Sequence, residues 1–191
     1  MPTQTGTTAL GGGFSDPARQ SAHAFRALME AMARTGTIHA VPGATPPAPL
    51  SGAAGIAILT LCDIDTPLYL AGAADCTAVR DWVAFQTGAP ICAPGDAAFA
   101  LGTWRDLGPC DKYPVGTAQY PDRSTTLIVE VPTLTPSGST LRGPGIQHMA
   151  QLSLPETAAF QANRALFPRG LDFLFTCGDH LAALPRTTEV R

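Results

Sequence analysis

Two short stretches with opposite hydrophobic habits constrain this chain more than any other feature. From Ser124 to Val131, Leu127, Val129 and Val131 point one way while Thr126, Ile128 and Glu130 point the other, a period of two rich in β-branched residues. Phe173 to Cys177 is instead continuously apolar, which suits a strand covered on both faces. A sheet containing both kinds of strand needs packed layers around it, and helix-period segments between the strands supply them. The fold class expected is a layered α/β/α domain with a mixed sheet. No internal repeat is visible.

The helices announce themselves by caps and spacing. Ser15-Asp16-Pro17 places a capping carboxylate before a proline at the first helical position. Beyond it Ala18, Ala22, Phe25, Leu28, Met29 and Met32 recur every three to four residues, with Arg19, His23, Arg26, Glu30 and Arg34 opposite. The pattern predicts a helix ending at Gly36, its apolar side packed and its Arg26/Glu30 and Glu30/Arg34 pairs on a solvated face. Pro42 to Pro49 reads as an extended surface connection. Gly52 to Leu61 carries no clear period, and its alanines favour a buried helix over a buried strand. Asp63 to Pro67 makes a turn. A helix capped by Asp75 runs to Thr87 and packs Val79, Trp82, Val83 and Gln86. Ala97 to Trp104 reads as a strand, Gly108 to Pro114 as an exposed loop, and Ser153 with Glu156 as a capping box opening a helix that Pro168 stops.

Composition narrows the function classes. The chain has 191 residues, 45% hydrophobic and 14% charged, enough for one domain that buries a core without metal or disulfide staples. Residues 1–13 read as a flexible N-terminal arm and 14–191 as a single domain. A net charge of −3 argues against nucleic acid and anionic membrane as partners, since both need clustered positive charge. Five widely spaced cysteines suggest buried thiols in a reducing cytoplasm, and no stretch approaches the ~20 apolar residues of a membrane span.

No catalytic constellation stands out. The triple glycine Gly11 to Gly13 lacks a following Gly-Lys-Ser/Thr, and Asp16 would itself occupy the helix terminus, so phosphate binding there is disfavoured. His23, His39, His148 and His180 show no zinc-ligand spacing. Cys177 and His180 are near in sequence, which rarely gives a working nucleophile and base. Lys112, the only lysine, sits among Gly108, Pro109, Asp111 and Pro114, where a hydrated ammonium is a poor Schiff-base former. Two loops carry arginine beside hydroxyls: Tyr120-Pro121-Asp122-Arg123-Ser124 and Leu184-Pro185-Arg186-Thr187-Thr188. Guanidinium with hydroxyls suits phosphate or phosphonate oxygens, although Asp122 and Arg123 bracing a turn, and Arg186 pairing with a partner subunit's carboxylate, are the plainer readings. Gly143-Pro144-Gly145-Ile146 adds backbone that a ligand could approach closely.

Taken in order, these motifs resemble the H subunit of the bacterial carbon-phosphorus lyase system for phosphonate breakdown. The likeness runs through Gly13-Phe14-Ser15-Asp16-Pro17, Phe25 to Arg34, Asp63 to Pro67, Thr87-Gly88-Ala89-Pro90, Gly116-Thr117, Tyr120 to Ser124, Gly143 to Ile146, Phe167-Pro168 with Gly170 and Asp172, and Leu184 to Thr188. It implies a cytoplasmic accessory subunit of a core complex that transfers the ribose triphosphate of ATP onto an alkylphosphonate, with the other subunits as partners. It also implies no cofactor and no catalytic residue, a homodimer when isolated, and a fold like the large domain of pyridoxal-phosphate-dependent transferases without the cofactor or its lysine. Ligand- or interface-contact candidates are Arg26, Tyr120, Asp122, Arg123, Gly143, Gly145, Arg186, Thr187 and Thr188. Two other classes stay open at this point: a free-standing enzyme using Cys177 and His180 or Lys112, and a nucleotide- or phosphonate-binding module using Arg123 and Arg186.

Overall fold

The computed structural model describes residues 10–191. Helix α1 (Pro17–Ala33) begins as its sequence dictates, the Asp16 carboxylate accepting the Arg19 amide and Pro17 standing at the first position. Helix α2 (Gly52–Leu61) resolves the ambiguous apolar run: Ser51 Oγ accepts the Ala54 amide, and Ala53 to Ile58 are all buried. A helix apolar all round belongs inside a core. Helix α3 (Thr77–Gln86) packs Val79, Trp82 and Val83 inward, but Asp75 does not cap it. That carboxylate pairs with Arg80 instead, and Cys76 holds the cap position without a side-chain bond.

Six strands form the main sheet: β1 (His39–Ala40), β2 (Leu68–Leu70), β3 (Phe99–Thr103), β4 (Thr126–Glu130), β7 (Asp172–Cys177) and β8 (His180–Leu184), in the order β1-β8-β7-β4-β3-β2. Strands β2, β3, β4 and β7 run parallel, β8 pairs antiparallel with β7, and β1 pairs antiparallel with β8 at the edge. The expected mixed sheet is therefore present. β4 sits at its centre, with Leu127 opposite Phe173 and Ile128 opposite Leu174.

Period-two alternation in this sheet separates two buried faces, not a buried face from a wet one. Ile128, Leu174, Leu101 and Leu181 pack with α1, α2 and α3. Leu127, Val129, Phe173, Phe175 and Ala182 pack the other way, against Leu107, Leu141, Leu152, Phe160 and Val190. On that side Trp104, Phe160 and Phe173 form an aromatic cluster, with Phe160 edge-on to Phe173 at 4.9 Å between centroids. The covering layer there departs from a plain helical one. It combines the short helices α4 (Trp104–Leu107) and α5 (Ala158–Arg164) with a small antiparallel sheet of β5 (Ser139–Arg142), β6 (Ala150–Leu152) and β9 (Glu189–Val190).

Two boundary expectations fail for local reasons. Trp104 opens α4 because the Thr103 hydroxyl accepts the Asp106 amide, so the strand stops one residue earlier. Ser153 builds no capping box: its hydroxyl accepts the Thr135 amide from the segment before β5, and α5 starts at Ala158. Pro42 to Pro49 contributes no regular element, yet Ala44 within it and Val41 and Leu50 beside it are buried. Of the expected arm, residues 1–9 lie outside the described residues. Leu10 to Gly12 are tied down, with Gln86 Nε2 donating to Leu10 O at 2.7 Å, Trp82 Nε1 to Gly11 O at 2.8 Å and the Thr45 amide to Gly12 O at 2.8 Å. Glu130, at the end of β4, accepts the Ser51 amide at 2.7 Å and the Thr176 hydroxyl at 3.0 Å, locking the start of α2 to the sheet.

Candidate functional site

The two arginine-bearing loops meet, and Arg186 is what joins them. Its guanidinium donates from Nε to Asp172 Oδ1 at 3.2 Å, from Nη1 to the Pro121 carbonyl at 2.6 Å, and from Nη2 to both Asp172 Oδ2 and the Ser124 hydroxyl. Its own amide also donates to Asp172 Oδ1, at 2.8 Å. Four of the five guanidinium N–H bonds are thus consumed within the chain. The carboxylate partner is the chain's own Asp172 at the start of β7, not one from another subunit. Arg186 holds loops together and has almost nothing left to offer a ligand.

Arg123 and Tyr120 behave differently. Both are exposed, and the guanidinium carbon stands 4.3 Å above the Tyr120 ring. Asp122 is exposed and makes no ion pair with Arg123, so a stacked cation, not a braced carboxylate, shapes this turn. Thr187 is half-buried, while Thr188 is buried with an unpartnered hydroxyl.

Gly143 and Gly145 are needed for close approach, but to the chain itself. Gly143 adopts φ +143° against the Thr187 and Thr188 backbone, and Gly145 adopts φ +80° against the Ala33 carbonyl, where a Cβ would collide. The loop thus clasps the end of α1 to the segment after Arg186. The sequence brought these glycines forward as ligand-facing backbone, and their neighbours turn out to be protein.

The enzymatic candidates find no support in geometry. Cys177 and His180 oppose each other across the β7–β8 turn without a hydrogen bond between them, and Cys177 Sγ is directed at the Pro132 carbonyl at 3.5 Å. Lys112 is half-buried, contrary to the exposed loop expected. Its ammonium lies over the Tyr69 and Tyr113 rings, 5.5 and 5.3 Å from their centroids, and donates to the Gly108 carbonyl at 3.1 Å. A cation so surrounded is a packing element. Burial pushes the Cys62 thiol up to about 12 and the Cys110 thiol up to about 11, so neither is a ready nucleophile. Among the described residues no group of three or more His, Cys, Asp or Glu could hold a metal ion. No helix among them is long and apolar enough to cross a membrane.

Helix α1 presents an exposed apolar face, which the sequence pattern assigns to the core. Phe25 and Met29 were expected in the core, yet they are 49% and 55% exposed. The inward face of α1 is Ala24, Leu28 and Ala31, whose small side chains let the helix lie close to α2. Phe25, Met29 and Met32 line an open groove of about 480 Å³ with Leu61, Phe99 and Leu174. Arg26 lies on the solvent side of this groove, and neither the Arg26/Glu30 nor the Glu30/Arg34 ion pair forms. The missed signal was quantitative: α1 carries more apolar positions than one core-facing stripe requires.

Two comparisons bear on this chain. Residues 12–191 match the family described as Bacterial phosphonate metabolism protein (PhnH). The chain is also 42% identical, over 94% of its own length and 94% of the relative's, to the alpha-D-ribose 1-methylphosphonate 5-triphosphate synthase subunit PhnH of Rhizobium meliloti (strain 1021). With an ordered domain behind that match, and arginine and glycine motifs that knit the domain together, the chain belongs to the PhnH family of bacterial phosphonate metabolism proteins.

Proposed function

We propose that this chain is an accessory subunit of an alpha-D-ribose 1-methylphosphonate 5-triphosphate synthase complex, serving phosphonate catabolism in the cytoplasm without a reaction centre of its own. The observation that carries the reading is 42% identity, over nearly the whole of both chains, with a relative named as a subunit of that synthase. Support comes from the internal use of Arg186, Lys112 and the glycine loop, which leaves assembly as the task the surface can perform. The reading includes a homodimer in isolation and a sheet domain like the large domain of pyridoxal-phosphate-dependent transferases, lacking cofactor. Co-expression with the remaining subunits, followed by native mass measurement, tests it. Incorporation is expected, and deletion of the chain should abolish growth on methylphosphonate as sole phosphorus source. A free chain and unimpaired growth would overturn the reading.

A binding-module role is favoured by one observation only: Arg123 is exposed, stacked on Tyr120 and without an ion pair. Calorimetry with ATP and methylphosphonate separates the two. Salt-sensitive binding lost in Arg123→Ala would add ligand contact to assembly, and a flat titration would remove it.

A further inference from the structure

Helix α1 carries two apolar stripes with the same spacing. Ala24, Leu28 and Ala31 are buried against the domain. Ala18, Ala22, Phe25, Met29 and Met32 follow steps of four, three, four and three residues, the a/d spacing of a coiled-coil seam. All of these are exposed except Met32, which is half-buried. At 1.5 Å per residue the second stripe extends about 21 Å along the helix. It borders two depressions, one lined by Leu59 with Ala18 and one by Leu61 and Phe99 with Met29.

We propose that this second stripe is a docking seam for an amphipathic helix of another subunit, one whose apolar seam is flanked by acidic residues. The inference rests on the accessory-subunit reading above and adds the surface and the chemistry of the partner.

Charge decides what the occupant is. Arg19 and Arg26, seven residues apart, fall on the solvent flank of the stripe in the e positions of the heptad. Both are exposed, and among the described residues neither lies within salt-bridge distance of a carboxylate. A second copy of the chain cannot neutralise them. Antiparallel seams set e positions against e positions, bringing Arg19 and Arg26 towards their own counterparts. Parallel seams set them against g positions, here Ser21 and Leu28, which carry no charge. Like charges facing each other across a contact oppose antiparallel self-pairing, and parallel self-pairing leaves both arginines without a counterion. A partner with Asp or Glu beside its apolar seam meets both requirements. Met29 and Met32 supply flexible side chains suited to fitting a foreign helix.

The test is co-expression of the chain with the remaining synthase subunits, read by native mass measurement of both the complex and the isolated chain. Met29→Glu places a charge in the seam at an exposed position, and Arg19→Glu with Arg26→Glu reverses the flank. Arg19→Lys with Arg26→Lys keeps the charge, and Phe85→Ser alters an aromatic 65% exposed on α3, outside the seam. Both glutamate variants should lose incorporation by about tenfold or more, while the lysine variant and Phe85→Ser incorporate as wild type. The isolated chain should keep its oligomeric mass in every variant. Incorporation of Met29→Glu at the wild-type level overturns the seam. A fall in the isolated chain's oligomeric mass on Met29→Glu overturns the heterologous partner, because the face would then join two copies. Failure of the wild-type chain to incorporate removes the accessory-subunit reading and this inference with it.

Discussion

Replacing Arg186 with alanine removes one side chain and strands several groups at once. The guanidinium and the Asp172 carboxylate are 12% and 16% exposed, so each depends on the other more than on water. Removing one partner from a buried, hydrogen-bonded pair costs about 3–5 kcal/mol, because the remaining charge loses its counterion. Water entering the space left by Arg186 would rehydrate Asp172 in part, which places the expected loss near the lower figure, about 3 kcal/mol. The Pro121 carbonyl and Ser124 hydroxyl lose donors too, but they belong to a loop that can relax towards solvent. For a chain of 191 residues that loss corresponds to a melting temperature lower by roughly 6–12 °C. Denaturant unfolding of Arg186→Ala, Asp172→Ala and the double variant measures the pair directly. The double variant should be less destabilised than the sum of the two by about 2 kcal/mol. A loss below about 1 kcal/mol for Arg186→Ala, with weakened binding of an anion, would refute the argument, since the guanidinium would then be free to serve a ligand.

Other perturbations separate the remaining contacts. Gly145→Ala should cost on the order of 1–3 kcal/mol by denaturant titration, because φ is +80° and the new Cβ meets the Ala33 carbonyl, whereas Gly95→Ala, with nothing within 4 Å, should leave stability unchanged. At pH 8 a thiol reagent should modify the buried Cys62 only on the timescale of unfolding and the half-buried Cys110 slowly, since burial raises their pKa to about 12 and about 11. Both thiols are therefore held neutral in the folded state and contribute stability that is intact below the ordinary thiol range, near 9. That contribution declines as pH rises through 9 and is spent by about 12, and a Cys62→Ala variant should show a shallower alkaline decline. Lys112→Met should lower stability by about 1–2 kcal/mol through loss of its carbonyl acceptor and its two aromatic rings, and rapid reduction-trapping of Lys112 by pyridoxal phosphate would contradict the packing role.

Within the helices, the sequence was most legible where a single local interaction decides. Asp16-Pro17 fixes the start of α1, and the structure keeps it. Asp75 and Ser153 look equally good as caps but find better partners in Arg80 and the Thr135 amide. A cap contributes only about 1 kcal/mol, so one competing bond can move it.

Local pattern alone determined that this chain builds a mixed sheet under helices, because period-two and continuous apolar runs leave a strand no other stable setting. It also singled out the loops around Arg123, Arg186 and Gly145. What those residues do was decided only by the tertiary structure. Whether a guanidinium is spent or free depends on Asp172 and Pro121, 14 and 65 residues away in the chain, and no local rule reaches that far. The same holds for α1: its sequence offers two apolar stripes, and the position of α2 and the sheet chooses which is buried and which faces outward.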